Sequence, residues 1–419
     1  MHPNISELVK LITSEIRSNT DKKEKWAQFK RNHVDDLTRL LQLEGKGMDN
    51  PGALVGIDFD EDRKLMLLNY TGQAHNFLHE IKGGWTHVLR QMRGMIVSYD
   101  GEPAMVSRGF EKFFNYNELY ECSVEGLGEK FGADTKYLAR EKADGHMIEY
   151  FVHDGELCAS TRGKFGTASS ELATGMFTLD MFNNIAAEAS NGIMSIVVEL
   201  VHPETRVHVD YDDAHLFLLA VFDKDGNRYC NTTLEFLTGR FDYFTLPTQR
   251  LMSLNDMIAE INNRDVLNNE GWVMDFGGYL VKFKYISYIG EMVKSKLSYK
   301  YIMNCLKNNR LDKMLFTLQE EVREEAYRMV DVVKTQTLRA LVAGTYKPLY
   351  ELYDPEIEGS KGYFTQVCRT YWREHVIVEG LDSARREQLM FGDRVGSTKV
   401  AFVEPTVGQG RPLPFGSVG

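Results

Sequence analysis

Residues 140–155 read REKADGHMIEYFVHDG. A β-rich run, HMIEYFVH, lies between a glycine turn that follows Lys142 and the turn dipeptide Asp154-Gly155. This arrangement predicts a strand that ends before Lys142, a second strand after it and a hairpin at Asp154-Gly155. Lys142 should therefore stand at a sheet edge, within the pattern Lys-x-Asp-Gly.

Outward from this stretch, the same signals recur between about Gly45 and Gly290. Short β-rich runs are separated by three further turn dipeptides, Asp100-Gly101, Asp225-Gly226 and Gly277-Gly278. Four hairpin signals in one region predict antiparallel sheets.

Both ends of the chain have helical periodicity instead. Leu8, Ile12 and Ile16 repeat at helical spacing near the start, and Leu315, Leu318 and Val322 begin a similar series after Tyr288. The fold class expected is α+β, with antiparallel sheets and flanking helices followed by an all-helical C-terminal domain. The parts predicted are a helical region packed on or preceding the catalytic domain (1–44), the sheet domain (45–294), the helical domain (295–398) and a flexible tail (399–419).

Composition excludes several classes of protein. The formal charge of −11 has the wrong sign for a protein that coats nucleic acid indiscriminately, so any contact with nucleic acid must be local. The longest apolar run, Leu216 to Phe222, is too short to cross a bilayer, and the N-terminus does not resemble a signal peptide. Five scattered cysteines and eleven histidines without metal-ligand spacing indicate neither disulfides nor a zinc site. A cytoplasmic protein with free thiols is predicted.

Acidic and basic motifs follow Lys142 in a fixed order. Glu199 lies inside the apolar run IMSIVVELV (193–201), where a carboxylate is unfavourable unless something binds it. Glu270 opens the run EGWV, and Lys282-Phe283-Lys284 ends the hairpin after it. A lone Lys-x-Asp-Gly match arises by chance in many chains, but the ordered series does not.

With these motifs the chain resembles the covalent nucleotidyltransferase superfamily of ATP-dependent ligases and RNA capping enzymes over most of residues 90 to 290. The closer resemblance is to the first RNA ligase of T-even bacteriophages, the tRNA-repair type. The stretches that carry it are MRGMI (92–96), SRGFEKFFN (107–115) and VELVHP (198–203), extended by Arg206 and Tyr211.

The resemblance implies that Lys142 attacks the α-phosphate of ATP, a reaction that requires an unprotonated amine and surrounding cations. The catalytic residues implied are Lys142, Asp144, Glu199, Lys282 and Lys284. The ATP-binding residues implied are Arg93, Lys112, Glu141, Lys142, Gly145, Lys164, Glu199, Lys282 and Lys284. Glu270, together with Asp312, is implied as a ligand of Mg²⁺ or Mn²⁺, which prefer oxygen donors. Taken singly, Lys112 and Lys164 could equally be structural or surface lysines.

RNA contact is predicted around the start of the helical domain. Basic residues and tyrosines interleave between Lys294 and Lys313, which suits phosphate pairing and base stacking, although a solvated helix face would look the same. The candidate RNA-binding residues are Tyr288, Lys296, Lys300, Lys307 and Arg310. Arg310-Leu311-Asp312-Lys313 spells an element of barrel-containing ligases, but it lies too close to Lys284 for a barrel to intervene.

The function expected is joining of RNA 5′-phosphate and 3′-hydroxyl ends through lysyl-AMP and an RNA-adenylate, in repair of cleaved loops such as tRNA anticodon loops. A monomer linked functionally to an end-healing polynucleotide kinase/phosphatase is implied. The alternatives are a ligase for nicked duplexes, a capping-type guanylyltransferase, and an RNA-binding end sensor without turnover.

Overall fold

The structure, a computed structural model, describes residues 1–79, 81, 84–298 and, beyond these, only 301, 302, 305, 311, 314, 315, 318 and 322–330. Residues Met1–Tyr288 form one compact unit, and a second unit begins at Ile289. Residues 322–330 are helical. Most of the predicted helical domain (295–398) and all of the predicted tail (399–419) lie outside the described residues, so both stay predictions. The same holds for Lys300, Lys307, Arg310, Asp312 and the side chain of Lys296.

The helices in chain order are α1 (Pro3–Thr13), α2 (Asn19–Asn32), α3 (Val34–Leu40), α4 (Gly72–His79), α5 (His87–Gln91), α6 (Val124–Phe131), α7 (Ala168–Met176), α8 (Leu179–Glu188), α9 (Asn231–Arg240), α10 (Leu254–Ile261) and α11 (Ile286–Lys296). The strands are β1 (Val55–Asp60), β2 (Leu65–Tyr70), β3 (Arg93–Ser98), β4 (Ala104–Ser107), β5 (Phe114–Asn115), β6 (Tyr137–Glu141), β7 (His146–His153), β8 (Glu156–Thr161), β9 (Ser195–Val201), β10 (His215–Phe222), β11 (Gln249–Met252), β12 (Gly271–Asp275) and β13 (Leu280–Lys284).

The strands form three sheets, ordered β1-β2-β3-β4 (the first sheet), β10-β9-β7-β8 (the second sheet) and β11-β6-β12-β13-β5 (the third sheet). Neighbouring strands pair antiparallel, except for β13 with β5. The predicted antiparallel architecture with flanking helices is thus confirmed over the described residues. Among these residues, no helix has the length and apolar character needed to cross a membrane.

The N-terminal helices follow from apolar spacing. Ile5, Leu8 and Ile12 of α1 lie on one face and are fully buried. Ser18 caps α2 by accepting a hydrogen bond from the Asp21 amide.

Turn chemistry explains most of the strand connections. Asp154 and Gly155 have φ values of +51° and +78° and join β7 to β8, as predicted. Gly101 turns between β3 and β4, and the pair at Gly277 turns between β12 and β13. Asp225-Gly226 is the exception: the chain turns there, but only one bridge forms, from Phe222 to Arg228, before α9 begins.

The second sheet has two covered faces. Side chains such as Ile148, Tyr150 and Val198 face a core that includes residues of α7, α8 and α9. On the opposite face, Phe151 packs against Leu65 and other residues of the first sheet. Glu199 belongs to this second face because side chains alternate along β9. The link from β6 to β7 leads from the third sheet into the second, and it consists of the Lys142–Gly145 turn.

Candidate active site

Lys142 occupies the passage between two sheets. Its backbone N–H donates to the Gly271 carbonyl at 2.8 Å, which fixes the residue beside the start of β12. Its Nζ donates to Glu270 Oε2 at 2.6 Å, and the side chain is 22% exposed. Gly145, three residues on, passes so near the backbone of β9 that a Cβ would lie 2.1 Å from the Leu200 carbonyl oxygen. Only glycine allows this approach, which places the turn against Glu199.

Glu270 links two lysines. Lys284 Nζ lies 3.2 Å from Glu270 Oε1, while Lys142 contacts the other carboxylate oxygen. The antiparallel register pairs Gly271 with Lys284, which brings the end of β13 next to Glu270. Glu270 is 4% exposed, so the two ammonium groups stabilise a carboxylate that burial would otherwise disfavour.

Glu199 adds a second carboxyl group. Its Oε1 accepts a hydrogen bond from the Gly145 amide at 3.2 Å. The pKa of Glu199 is raised to about 7, chiefly by burial and also by the Glu270 carboxylate, against the opposing effect of Lys142. The group is therefore poised near neutrality, where a bound cation would favour its ionised form.

Phe113 supports two cations that lie on different strands. The Arg93 guanidinium lies 5.4 Å from the Phe113 ring centroid, and Lys282 Nζ lies 4.9 Å from it. Arg93 also donates to Met147 Sδ at 3.2 Å. Burial lowers the pKa of the Arg93 guanidinium, and the nearby Arg162 lowers it further. Phe113 was not predicted as a site residue, although it stands within the motif FEKFFN.

Asp144 acts as an anchor in this structure. Its Oδ2 accepts hydrogen bonds from the amides of His208 at 2.9 Å and Val209 at 2.8 Å. Its Oδ1 accepts from the Tyr288 hydroxyl at 2.9 Å, and Tyr288 is buried. The Asp144 amide donates to the Tyr211 hydroxyl at 3.0 Å. Asp144 thus joins the Lys142–Gly145 turn to the loop after β9. Tyr288, predicted to contact RNA, is placed as a partner of Asp144, and its RNA contact stays a prediction.

A cavity of about 100 Å³ adjoins this anchor. Its lining includes Asp144, Gly145 and Tyr211, together with Arg206 from the same loop. Burial raises the pKa of Tyr211 to about 12, and its hydroxyl accepts the hydrogen bond from the Asp144 amide.

The remaining predicted ATP-binding residues have other surroundings. Lys112 has a fully buried side chain, with Nζ 3.3 Å from Glu118 Oε1. Glu141 accepts a hydrogen bond from Asn269 Nδ2 at 2.7 Å. Lys164 is exposed in the turn after β8, where its carbonyl accepts from Thr161. Their roles in ATP binding stay predictions.

Arg162, in the same turn as Lys164, is a basic residue that the sequence analysis did not single out. It lies 5.5 Å from the Tyr70 ring centroid and close enough to Arg93 to lower the pKa of that guanidinium. The turn therefore brings Arg162, rather than Lys164, towards the Arg93 side of the site.

The arrangement joins a lysine that solvent can reach, two carboxyl groups and several further cations around one turn. The family model for RNA ligases matches residues 91–301, about half of the chain. This range contains every described residue discussed above as a site residue except Tyr70. The chain belongs to this RNA ligase family.

Two relatives share part of the sequence. RNA ligase 1 of bacteriophage TS2126 is 26% identical over 200 residues, which cover 46% of this chain and 50% of that protein. A protein described as a bifunctional polynucleotide kinase/RNA ligase, from Autographa californica nuclear polyhedrosis virus, is 34% identical over 104 residues, 24% of this chain and 14% of that protein. The chain thus matches at most half the length of either relative.

Parts of this structure match two solved structures of RNA ligases. An archaeal ATP-dependent RNA ligase has a TM-score of 0.42 at 14% identity, covering 72% of this chain and 78% of its own. A Naegleria gruberi RNA ligase mutant with ATP and Mn has a TM-score of 0.32 at 14% identity, covering 40% and 55%. Similarity at this level gives no information on activity.

Proposed function

We propose that this protein is an ATP-dependent RNA ligase that joins RNA 5′-phosphate and 3′-hydroxyl ends, with Lys142 as the covalent nucleophile. The observation that carries the proposal is the contact of Lys142 and Lys284 with opposite oxygens of Glu270, at 2.6 Å and 3.2 Å, within a chain of the RNA ligase family. The meeting of an amine, a carboxylate and a second cation supports the proposal, because nucleotidyl transfer to lysine needs these groups together.

In the first step, the unprotonated Lys142 amine attacks the α-phosphorus of ATP. An N–P bond forms, the P–O bond to the β-phosphate breaks, pyrophosphate leaves and the lysine loses its remaining excess proton to solvent. Lys284 would stabilise the charge that builds on the phosphoryl oxygens, since it already lies beside Glu270 and Lys142. Arg93 and Lys282, both against Phe113, would hold the other phosphates.

A divalent cation fits the two carboxyl groups. Glu270 and Glu199 offer hard oxygen donors, and Glu199, with its pKa about 7, would gain most from a nearby cation. Mg²⁺ or Mn²⁺, when bound, would neutralise phosphate charge. Glu270 presents one oxygen to Lys142 and one to Lys284, so a cation on Glu270 would weaken its hold on Lys142 and favour the free amine.

In the second step, an RNA 5′-phosphate oxygen attacks the lysyl-AMP phosphorus: an O–P bond forms, the N–P bond breaks, and the Lys142 nitrogen takes up a proton from solvent as it leaves as the amine. In the third step, an RNA 3′-hydroxyl attacks the 5′-phosphorus, a phosphodiester bond forms and AMP leaves. Asp144 would keep the turn and the loop at His208 together through these steps, because it binds two amides of that loop.

The finer parts of the proposal rest on relatives and resemblance. Repair of cleaved tRNA loops follows from the resemblance to the T-even phage ligase. A link to an end-healing kinase is supported by the viral relative, which is described as a kinase joined to an RNA ligase. We also propose that the protein acts as a monomer in the cytoplasm, of the host cell if a phage encodes it; Cys122, Cys158 and Cys230 are free thiols.

The test is transfer of label from ATP labelled at the α-phosphate to protein freed of bound AMP, in the presence of Mg²⁺. Wild type should keep label after denaturation, and Lys142→Ala should keep none. Lys23→Ala, at an exposed position on α2, is the matched control and should label like wild type. If neither wild type nor the control becomes labelled, the ligase proposal is overturned and an RNA end sensor is favoured. Labelling from GTP alone would favour a capping-type enzyme.

Chase with RNA separates the later steps. Labelled protein should transfer AMP to RNA that carries a 5′-phosphate and release it when a 3′-hydroxyl end is present. Comparing a cleaved anticodon stem-loop with a nicked duplex then identifies the substrate. Faster sealing of the nicked duplex would contradict the tRNA-repair assignment while leaving the chemistry intact.

A further inference from the structure

A cluster of three metal-ligating side chains lies outside the site described above. His75 and His79 stand one turn apart on α4, with ring centroids 4.9 Å apart and planes 29° from parallel. Glu118 approaches from the segment after β5. One donor atom from each of the three residues lies within 4.8 Å of the others. No metal-ligand spacing was predicted among the histidines, yet these two have the four-residue spacing that places both rings on one helix face.

Burial and donor chemistry suit a metal ion. His75 and Glu118 are buried, and His79 is partly buried. Two imidazoles and one carboxylate form a nitrogen and oxygen donor set that is common for Zn²⁺, with a fourth position left for water. Mg²⁺ prefers oxygen ligands throughout, so the two imidazoles select against it.

Glu118 is already oriented by its neighbours. Its Oε2 accepts from the Asn115 amide at 2.5 Å and from Asn115 Nδ2 at 2.8 Å. These bonds leave Oε1 as the oxygen towards His75, whose Nδ1 lies 3.6 Å away. Carboxylates that bind metals are usually held in this way by further hydrogen bonds.

The Lys112 ammonium repels a metal ion at this position, because its Nζ lies 3.3 Å from the same Oε1 of Glu118. Two features reduce this repulsion. The Lys112 ammonium also faces the rings of Phe114, Trp85 and Tyr70, at 4.8, 5.4 and 5.7 Å from their centroids. A carboxylate oxygen has two lone pairs, so Oε1 can serve the lysine and a metal together.

We propose that His75, His79 and Glu118 bind one Zn²⁺ ion. The ion ties α4 to the segment that carries Lys112 and Phe113, and Phe113 supports Arg93 and Lys282. Its role is structural, because it holds this segment in place. The inference does not depend on the proposed ligase activity, since metal binding is measured without ATP or RNA.

The test uses the full-length protein, stripped with a chelator, loaded with Zn²⁺ in excess Mg²⁺ and desalted. The Mg²⁺ occupies oxygen-donor sites and does not compete for imidazole. Elemental analysis should find one Zn²⁺ per chain in wild type and in His215→Ala, an exposed histidine outside the cluster. His79→Ala and His75→Ala should retain less than a tenth of this amount. Wild type without retained zinc, or equal zinc in the cluster variants, would overturn the proposal.

A second measurement guards against variants that fail to fold. X-ray absorption at the zinc edge of the wild-type protein should report four nitrogen or oxygen ligands, two of which are imidazole nitrogens. A first shell that contains sulfur or lacks imidazole would place the ion elsewhere and overturn the proposal. Zn²⁺ should also raise the melting temperature of wild type but not that of His79→Ala.

Discussion

Two lysine–carboxylate pairs in this protein share the same chemistry and differ in burial. Lys142 Nζ lies 2.6 Å from Glu270, and Lys112 Nζ lies 3.3 Å from Glu118; both carboxylate side chains are 4% exposed. The Lys142 side chain is 22% exposed, whereas that of Lys112 is fully buried. One lysine can therefore be reached by a substrate, while the other is enclosed by protein.

The enclosing groups explain the difference. Three aromatic rings surround the Lys112 ammonium, which stabilises its charge and keeps it in place. Lys142 instead lies between the end of a strand and a glycine turn, and Glu270, which it contacts, is shared with Lys284. We infer that the first pair holds the fold of its segment and that the second pair does the chemistry.

The largest expected effect is on stability. Lys112→Met keeps the length of the side chain but removes its charge from a buried pair. We expect the free energy of unfolding to fall by about 3–5 kcal/mol, because breaking a buried ion pair leaves a partner poorly compensated. Lys142→Met should change it by less than about 1 kcal/mol, as expected for a partly exposed pair. Urea unfolding measures both free energies, and equal losses of stability in the two variants would contradict the proposed difference between the two pairs.

A slightly smaller effect is expected on catalysis at the Lys142–Glu270 pair. Lys284→Met removes the second cation on Glu270, and the rate of lysyl-adenylate formation should fall about 10²-fold, or ~2.7 kcal/mol, as for loss of one preorganised charge stabiliser. Single-turnover labelling from ATP gives this rate. Lys23→Met is the control and should leave it unchanged. An unaltered rate in Lys284→Met would remove Lys284 from the chemical step.

A third buried carboxyl group, Glu149, sharpens the comparison because it accepts a hydrogen bond from a neutral group. Its Oε2 accepts from Ser107 Oγ at 2.9 Å. Burial raises the pKa of Glu149 to about 8, although Ser107 and the charge of Arg93 act in the opposite direction. A Cβ on Gly94 or Gly109 would lie 2.7 or 2.4 Å from its Oε1, so the carboxyl group fills the space that these glycines leave.

The pH dependence follows from this raised pKa. The folded protein binds the Glu149 proton more tightly than the unfolded chain, whose carboxyl pKa is near ~4.3, so stability falls as pH rises from about 4.3 to 8. Between pH 6 and 8, wild type should lose about 2 kcal/mol more than Glu149→Gln, which does not titrate. Urea unfolding at the two pH values measures this difference. Parallel losses in both proteins would show that Glu149 does not titrate in this range.

Local signals predicted the parts of the site that lie close in sequence. The strand before Lys142 and the hairpin that ends at Lys284 followed from β-rich runs and turn signals, and the buried Glu199 strand followed from a continuous apolar run. The enclosure of Lys112 could not be predicted, since its aromatic partners Tyr70 and Trp85 come from other elements. A turn dipeptide also does not determine whether the flanking segments pair as strands, so Asp225-Gly226 forms a turn without a hairpin.

The smallest expected effect distinguishes two basic residues in one turn. Lys164 was predicted from the sequence, because no local signal shows which of the two nearby basic residues, Arg162 or Lys164, faces the site. The carbonyl of Lys164 closes the turn with Thr161, while Arg162 lies over Tyr70 and near Arg93. A phosphate held by Arg93 would therefore lie within reach of Arg162.

Arg162→Ala should raise the KM for ATP about fivefold, or ~1 kcal/mol, because an exposed cation contributes little beyond this. Lys164→Ala should change the KM by less than about twofold, as expected for a side chain in solvent. Initial rates of adenylation over a range of ATP concentrations separate KM from kcat, and kcat should stay constant in both variants. The reverse order of effects would return the phosphate contact to Lys164 and would mean that the turn rearranges when nucleotide binds.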